Sequence, residues 1–354
     1  MSTKDIESTN KEQFFREIPK VELHLHLEGA IPLQTLFELI KREGKEPSIE
    51  TVDDLQKKLT YTDFVHFIEV WIWKNTFIKS EKDFEEIVYQ VLSTLSEQNV
   101  KYVEAFYSPG DYQNQGLSTE GITKYLIKGK KRAFCDFGIQ SELIVDVVRG
   151  DGLEVAMHHL EETESFLGKG VIGIGLGGNE QKYPADPYAV VYKEAKKRGF
   201  RLTAHAGEAA GAQSIWTCIE KLCVERIGHG VRAHEDPRLI SLLRKRQIPL
   251  EMCVVSNVKT GVCESFRTHP VKQYYQQGLM VTVNSDDPTM FNTSLTQEYS
   301  VLARNLGFSK SDIKQLCMNG ITASFMSDKD RELMKYQFEK EWEHLLNKYS
   351  QLLT

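Results

Sequence analysis

Eight short runs of apolar and β-branched residues recur along this 354-residue chain, with helix-like stretches between most of them, and few architectures accept that order. The runs are Lys20–Leu27, Val100–Ser108, Gln140–Val148, Gly170–Gly178, Phe200–Gly207, Val224–Gly230, Pro249–Ser256 and Leu279–Ser285. Between them lie segments such as PYAVVYKEAKKRG (Pro187–Gly199), whose closing glycine suits a helix C-terminus, and DPRLISLLRKRQ (Asp236–Gln247). Eight strands, each followed by a helix, predict an α/β fold of the (β/α)8 TIM barrel type. A doubly wound open sheet fits the same alternation, so the choice rests on what the strand ends carry.

Those ends are rich in chemistry: HLHLEG, LGGNE, HAGE, GHG, SNVKTG and NSDDP. In a barrel the C-terminal strand ends converge on one mouth, which accounts for all six together. The gap between the first two runs, about 31–98, is too long for one connecting helix. It holds the aromatic stretch YTDFVHFIEVWIWKNTF (Tyr61–Phe77), which reads either as a helical lid over the mouth or as plain core. With no Pro/Gly/Ser-rich linker and no low-complexity tract, residues 1–354 read as a single barrel domain that ends in helices over about 310–354.

The net charge of −6 and the lack of a basic tract beyond KGKKR (Lys128–Arg132) argue against a nucleic-acid or anionic-membrane partner. No apolar run approaches the roughly 18 residues that span a bilayer, and the opening MSTKDIESTN lacks the apolar core of a secretion signal. A cytoplasmic protein is expected, with its oligomeric state open. The six cysteines contain no C-x-x-C pair and read as buried free thiols rather than a disulfide framework or a cysteine zinc cluster.

In VELHLHLEGA (Val21–Ala30) a period of two sends Val21, Leu23 and Leu25 beneath the helices and points His24 and His26 into the barrel. An i, i+2 pair of imidazoles can place two nitrogens around one zinc ion, although H-x-H by itself is equally an alternating strand with one wet face. His205 closes the fifth strand, His229 the sixth, and Asp286 with Asp287 the eighth, so further histidines and a carboxylate pair reach the same mouth. The remaining histidines, His66, His158, His159, His234, His269 and His344, stand in helix or loop settings and are not expected as ligands.

ELHLHLEGA, HAGE, RIGHG and NSDDP, in this order, resemble the adenosine deaminase family of the zinc amidohydrolase superfamily, and the likeness runs from about Lys20 to the NGITASF segment (Asn319–Phe325). The resemblance implies one Zn²⁺ per chain held by His24, His26, His205 and Asp286. It implies that His229 orients the attacking water and helps take its proton, and that Glu208 protonates the purine ring nitrogen beside the attacked carbon. Asp287 and the backbone of Gly178 would meet other purine nitrogens. The implied reaction is hydrolytic deamination of adenosine and 2′-deoxyadenosine to inosine and ammonia.

One position departs from the pattern of adenosine deaminases proper. Glu28 stands where they typically carry an aspartate that contacts the ribose, and this resembles members acting on adenine or on a 5′-modified adenosine such as aminodeoxyfutalosine. A 5′-carboxylate would call for a cation, for which Arg149 is a candidate, a structural salt bridge being its other reading. Two remoter alternatives are a different zinc amidohydrolase and a non-catalytic purine binder. GIGLGG (Gly173–Gly178) imitates a dinucleotide-binding turn, but NEQKYPADP follows it rather than a helix start.

Overall fold

A computed structural model describes residues 12–62 and 64–349. Its eight strands are β1 (Lys20–His26), β2 (Val100–Tyr107), β3 (Gln140–Arg149), β4 (Val171–Gly178), β5 (Arg201–Ala206), β6 (Arg226–His229), β7 (Leu250–Met252) and β8 (Val281–Val283). They run parallel in sequence order, each hydrogen-bonded to the next. β8 returns to β1 through a bridge between Leu25 and Asp286, so the sheet closes into the barrel that the alternation predicts. The stretch Met1–Asn10 and the last five residues of the expected C-terminal helices lie outside the described residues.

Every residue of β1 is buried, as a parallel strand covered on both faces requires. Val21 packs outward beneath the helix Lys310–Ala323, where a β-carbon on Gly320 would stand 3.2 Å from that of Val21. The outer helices carry the signals read from their sequences. Asp236 accepts the N–H of Arg238 at the start of Pro237–Arg246, and Gly199 closes Ala189–Arg198 at φ +94°.

Two regions differ from expectation. The seventh run was expected to extend to Ser256, but a helix, Val254–Lys259, begins within it. The carboxylate of Glu298 accepts the N–H groups of Val254 and Val255, so a distant acid caps this helix and overrides the β preference of the valines. The long gap holds four helices, and the last of them, Asp83–Ser96, packs against β2 and the helix Thr119–Phe137 as an ordinary outer helix of the barrel. The excursion proper is therefore its first three helices.

In the KGKKR segment Lys128, Lys131 and Arg132 form a solvated helix face, Arg132 pairing with Glu86, while the largely buried Lys130 pairs with Glu142. All six cysteines are free thiols, four of them buried. Among the described residues no helix is long and apolar enough to cross a membrane.

Candidate active site

The C-terminal ends of β1, β5 and β8 bring His24, His26, His205 and Asp286 together, all four buried, with one potential ligand atom from each within 4.8 Å of the others. His24 donates from Nδ1 to Glu251 Oε2 at 2.7 Å, and its Nε2, buried and without a hydrogen-bond partner, stands 3.6 Å from Asp286 Oδ1; against burial, Asp286 and Glu251 raise the His24 ring to about 10. His205 donates from Nδ1 to the Leu176 carbonyl at 3.1 Å, so its Nε2 presents a lone pair, 3.1 Å from His26 Nε2. Burial pushes His26 down to about 4 and His205 well below the usual histidine range, which keeps both imidazoles neutral. Ser256 Oγ donates to Asp286 Oδ2 at 2.6 Å and leaves Oδ1 facing the imidazoles, 3.4 Å from His26 Nε2. Three imidazoles and one carboxylate oxygen, two of the rings oriented by partners behind them, fit a zinc site, where a bound cation would displace the proton that the two carboxylates favour on His24.

Support for the cluster reaches the barrel floor. Glu251 also takes Arg226 Nε at 2.5 Å, and the buried guanidinium pairs on its other side with Glu104. Phe325 lies against the guanidinium face at 3.6 Å and donates its backbone N–H to Glu104.

His229, the last residue of β6, and Asp286, three residues past the end of β8, both lie in the left-handed region, at φ +61° and +63°. For residues with a β-carbon this costs on the order of 1–3 kcal/mol, and here it turns both side chains into the mouth. His229 Nε2 stands 3.6 Å from Glu208 Oε2 and 3.9 Å from Asp286 Oδ2, while its Nδ1 meets Asn257 Nδ2 at 3.1 Å. Glu208 sits on a loop gathered around the carboxylate of Glu180, which accepts the N–H groups of Gly207 (2.6 Å), Glu208 (3.1 Å), Ala209 (2.8 Å) and Ala210 (2.9 Å). Burial first, then the negative charges of Asp286 and Glu180, raise the Glu208 carboxyl to about 8, so it holds a proton at neutral pH.

Asp287 is buried and its Oδ1 has no partner. Burial, reinforced by Asp286, raises its carboxyl well above the ordinary range, so it too can donate. Its neighbour is Gly29 of HLEG, where a β-carbon would lie 1.8 Å from Asp287 Oδ1. Gly178 stands exposed at the end of β4 with φ +87°.

Glu28 is also buried. Its Oε1 accepts the N–H of Ser108 at 3.0 Å, its Oε2 is unpaired, and burial raises the carboxyl to about 7. Lys74, from the aromatic stretch, donates to the Glu28 carbonyl at 2.7 Å and lies 4.0 Å over the Trp71 ring, so the excursion does reach the mouth. Nearby Asp146 is raised to about 8, by burial and then by Glu28, and its Oδ1 is unpaired.

Arg149 has a different task from either expected one. It is buried, and its two terminal nitrogens donate to the carbonyls of Tyr183 (2.9 Å) and His205 (2.8 Å), which ties the loop after β4 to the strand that carries His205. Neither nitrogen is turned to a carboxylate.

Glu180, Glu251, Asn257, Lys74 and Asp146 were not singled out from the sequence. LGGNE and SNVKTG had marked the neighbourhoods of Glu180 and Asn257, and a lone charge inside LEMCVV was the only sign of Glu251.

A family model described as adenosine deaminase matches residues 19–340. An adenine deaminase of Wolinella succinogenes is 33% identical over 331 residues, covering 90% of this chain and 96% of that protein. An adenosine deaminase of Clostridium botulinum is 31% identical over 325 residues, covering 91% and 97%. Among solved structures, adenine deaminase from Arthrobacter aurescens superposes with a TM-score of 0.85 at 30% identity, covering 91% of this chain and 98% of that one. A zinc-bound amidohydrolase from Burkholderia ambifaria gives 0.88 at 25% identity, covering 96% and 94%.

Proposed function

This chain belongs to the adenosine deaminase family and is a hydrolytic deaminase, and we propose that it removes the exocyclic amino group of a 6-aminopurine using a single zinc ion held by His24, His26, His205 and Asp286. The observation that carries this reading is the position of the Glu208 carboxyl, 3.6 Å from His229 at the rim of that four-residue cluster, where burial and neighbouring acids raise it to about 8. An ester or amide hydrolase would have no use for a carboxylic acid facing a ring nitrogen.

Zinc in this position supplies the Lewis acidity that makes water a nucleophile near neutral pH. The chain's own residues do the rest. Glu208 delivers its proton to the ring nitrogen next to the attacked carbon, which prevents negative charge from building on the purine. Asp287, held in its acid form, meets the imidazole edge of the purine, and the backbone of Gly178 meets another ring nitrogen without a side chain in the way. His229 contacts the attacking water.

Adenosine and 2′-deoxyadenosine are the substrates proposed first, with inosine or deoxyinosine and ammonia as products. Free adenine is a second reading, favoured by Glu28. An acid one methylene longer than aspartate reaches into the space a ribose would use, and its buried, unpaired Oε2 is an acceptor suited to the N–H of a free base. Relatives named adenine deaminase support the same reading. The test is ammonia release by the zinc-loaded protein offered adenosine, 2′-deoxyadenosine, adenine and aminodeoxyfutalosine in parallel. Turnover of any one supports the 6-aminopurine reading and identifies the group beyond the ring; no turnover of any of them by protein with zinc bound defeats it.

A further inference from the structure

A chain of hydrogen bonds runs from the protein interior to His229. The backbone N–H of Val271, at the start of the helix Val271–Gln276, donates to His269 Nδ1 at 3.2 Å. An amide N–H can only donate, so His269 Nδ1 must carry a lone pair, and the proton of the neutral ring lies on Nε2. His269 Nε2 stands 3.1 Å from Asn257 Oδ1, the acceptor end of that amide. Asn257 Nδ2 is therefore the end that meets His229 Nδ1 at 3.1 Å, and an amide nitrogen donates. Each assignment compels the next, and all three side chains are buried, so no water intervenes to release the constraint.

We infer that Asn257 and His269 are positioning residues that fix the tautomer of His229, so that its neutral ring carries its proton on Nε2 and presents an N–H to the reacting water. The ring in this state is a hydrogen-bond donor at the mouth. It holds the attacking oxygen with a lone pair free for the purine carbon, and it has no lone pair at Nε2 with which to take a proton, contrary to the role that the family resemblance suggested. Burial without a carboxylate partner pushes His269 down to about 3, which keeps it neutral and the chain intact. This arrangement is the reverse of a serine-protease triad, where a carboxylate behind the histidine places the proton on the inner nitrogen and leaves the outer one basic.

The role in turnover rests on the deaminase reading, whereas the position of the proton does not. The experiment is ¹⁵N NMR of the full, zinc-loaded chain labelled at histidine, with the His229 signals identified by their loss in His229→Gln. The expected result is a protonated Nε2 and an unprotonated Nδ1 at His229 and the same at His269. The isosteric Asn257→Asp replaces a donor by an acceptor, and it should move the His229 proton to Nδ1 and lower kcat by up to about 10⁴-fold, the scale of a wrong tautomer in a triad, with KM changed by less than threefold. A proton on Nδ1 of His229 in the unaltered protein overturns the inference, and so does Asn257→Asp with its kcat intact. If Asn257→Asp fails to fold, the spectrum of the unaltered protein still decides the tautomer. Silence on every 6-aminopurine would defeat the proposed reaction and leave the tautomer measurement standing.

Discussion

The carboxylate of Glu180 accepts the backbone N–H of Glu208 at 3.1 Å together with those of three neighbours, so one acid on the loop after β4 shapes the segment that presents another acid to the substrate. Glu180→Gln keeps the shape but loses one of the two acceptor oxygens. Buried N–H groups left unpaired cost about 1–3 kcal/mol each, so a lower Tm is expected. A fall in kcat of at least about tenfold is expected as well, since an acid misplaced by a fraction of a bond length transfers its proton poorly. Thermal unfolding and steady-state kinetics on the same preparation check both; an unchanged kcat would detach Glu180 from the placement of Glu208.

Glu208→Gln removes the transferable proton and touches none of the four proposed metal ligands. Turnover should fall by on the order of 10²–10⁴-fold, while metal analysis finds zinc retained. An active Glu208→Gln enzyme would assign the acid elsewhere.

The raised carboxyl of Glu208 has a pH signature. Its acid form is the working form, so kcat/KM should be level below about 8 and fall as pH rises through that value, opposite to a site that waits for an ordinary carboxylate to ionise. A pH–rate profile between neutrality and alkaline pH, taken with substrate well below KM, is the measurement. A kcat/KM that climbs through this range would contradict the assignment.

Glu251 holds His24 from behind at 2.7 Å and is itself held by Arg226. Glu251→Gln should weaken zinc affinity by about 10–100-fold, the usual effect of removing an outer partner of a metal-bound histidine. Competition with a chromogenic chelator measures this without any substrate, and an unaltered affinity would reduce Glu251 to a partner of Arg226 alone.

The parts of this site that could be read from sequence are those where chemistry sits at a strand end. His24, His26, His205, His229 and Asp286 stood out because each terminates an apolar run, and eight such runs close in one way. Supporting residues were hidden because their partners lie far away along the chain: Glu251 is 227 residues from His24, and Asn257 is 28 from His229. Arg149 is a mixed case. A charge at the end of a strand suggested a ligand, whereas its two terminal nitrogens donate to the carbonyls of Tyr183 and His205 and its buried Nε alone is left without a partner. Likewise the helix at Val254 could not be foreseen, because the carboxylate that caps it comes from Glu298, more than forty residues on.

The seam between the last strand and the first is stitched by residues of the proposed zinc site: Asp286 donates its N–H to the His24 carbonyl and accepts the N–H of His26. With β8 only three residues long, the rest of that seam is held by side chains, Asn284 accepting the N–H of Leu23 and Glu22 accepting the N–H of Ser285, each at 3.0 Å. An ion gripping the side chains of His24, His26 and Asp286 would therefore act as a rivet through the join of the staves. Stripping it should quicken hydrogen exchange first at the amides of His26 and Asp286, and the vessel would begin to leak where it does its chemistry.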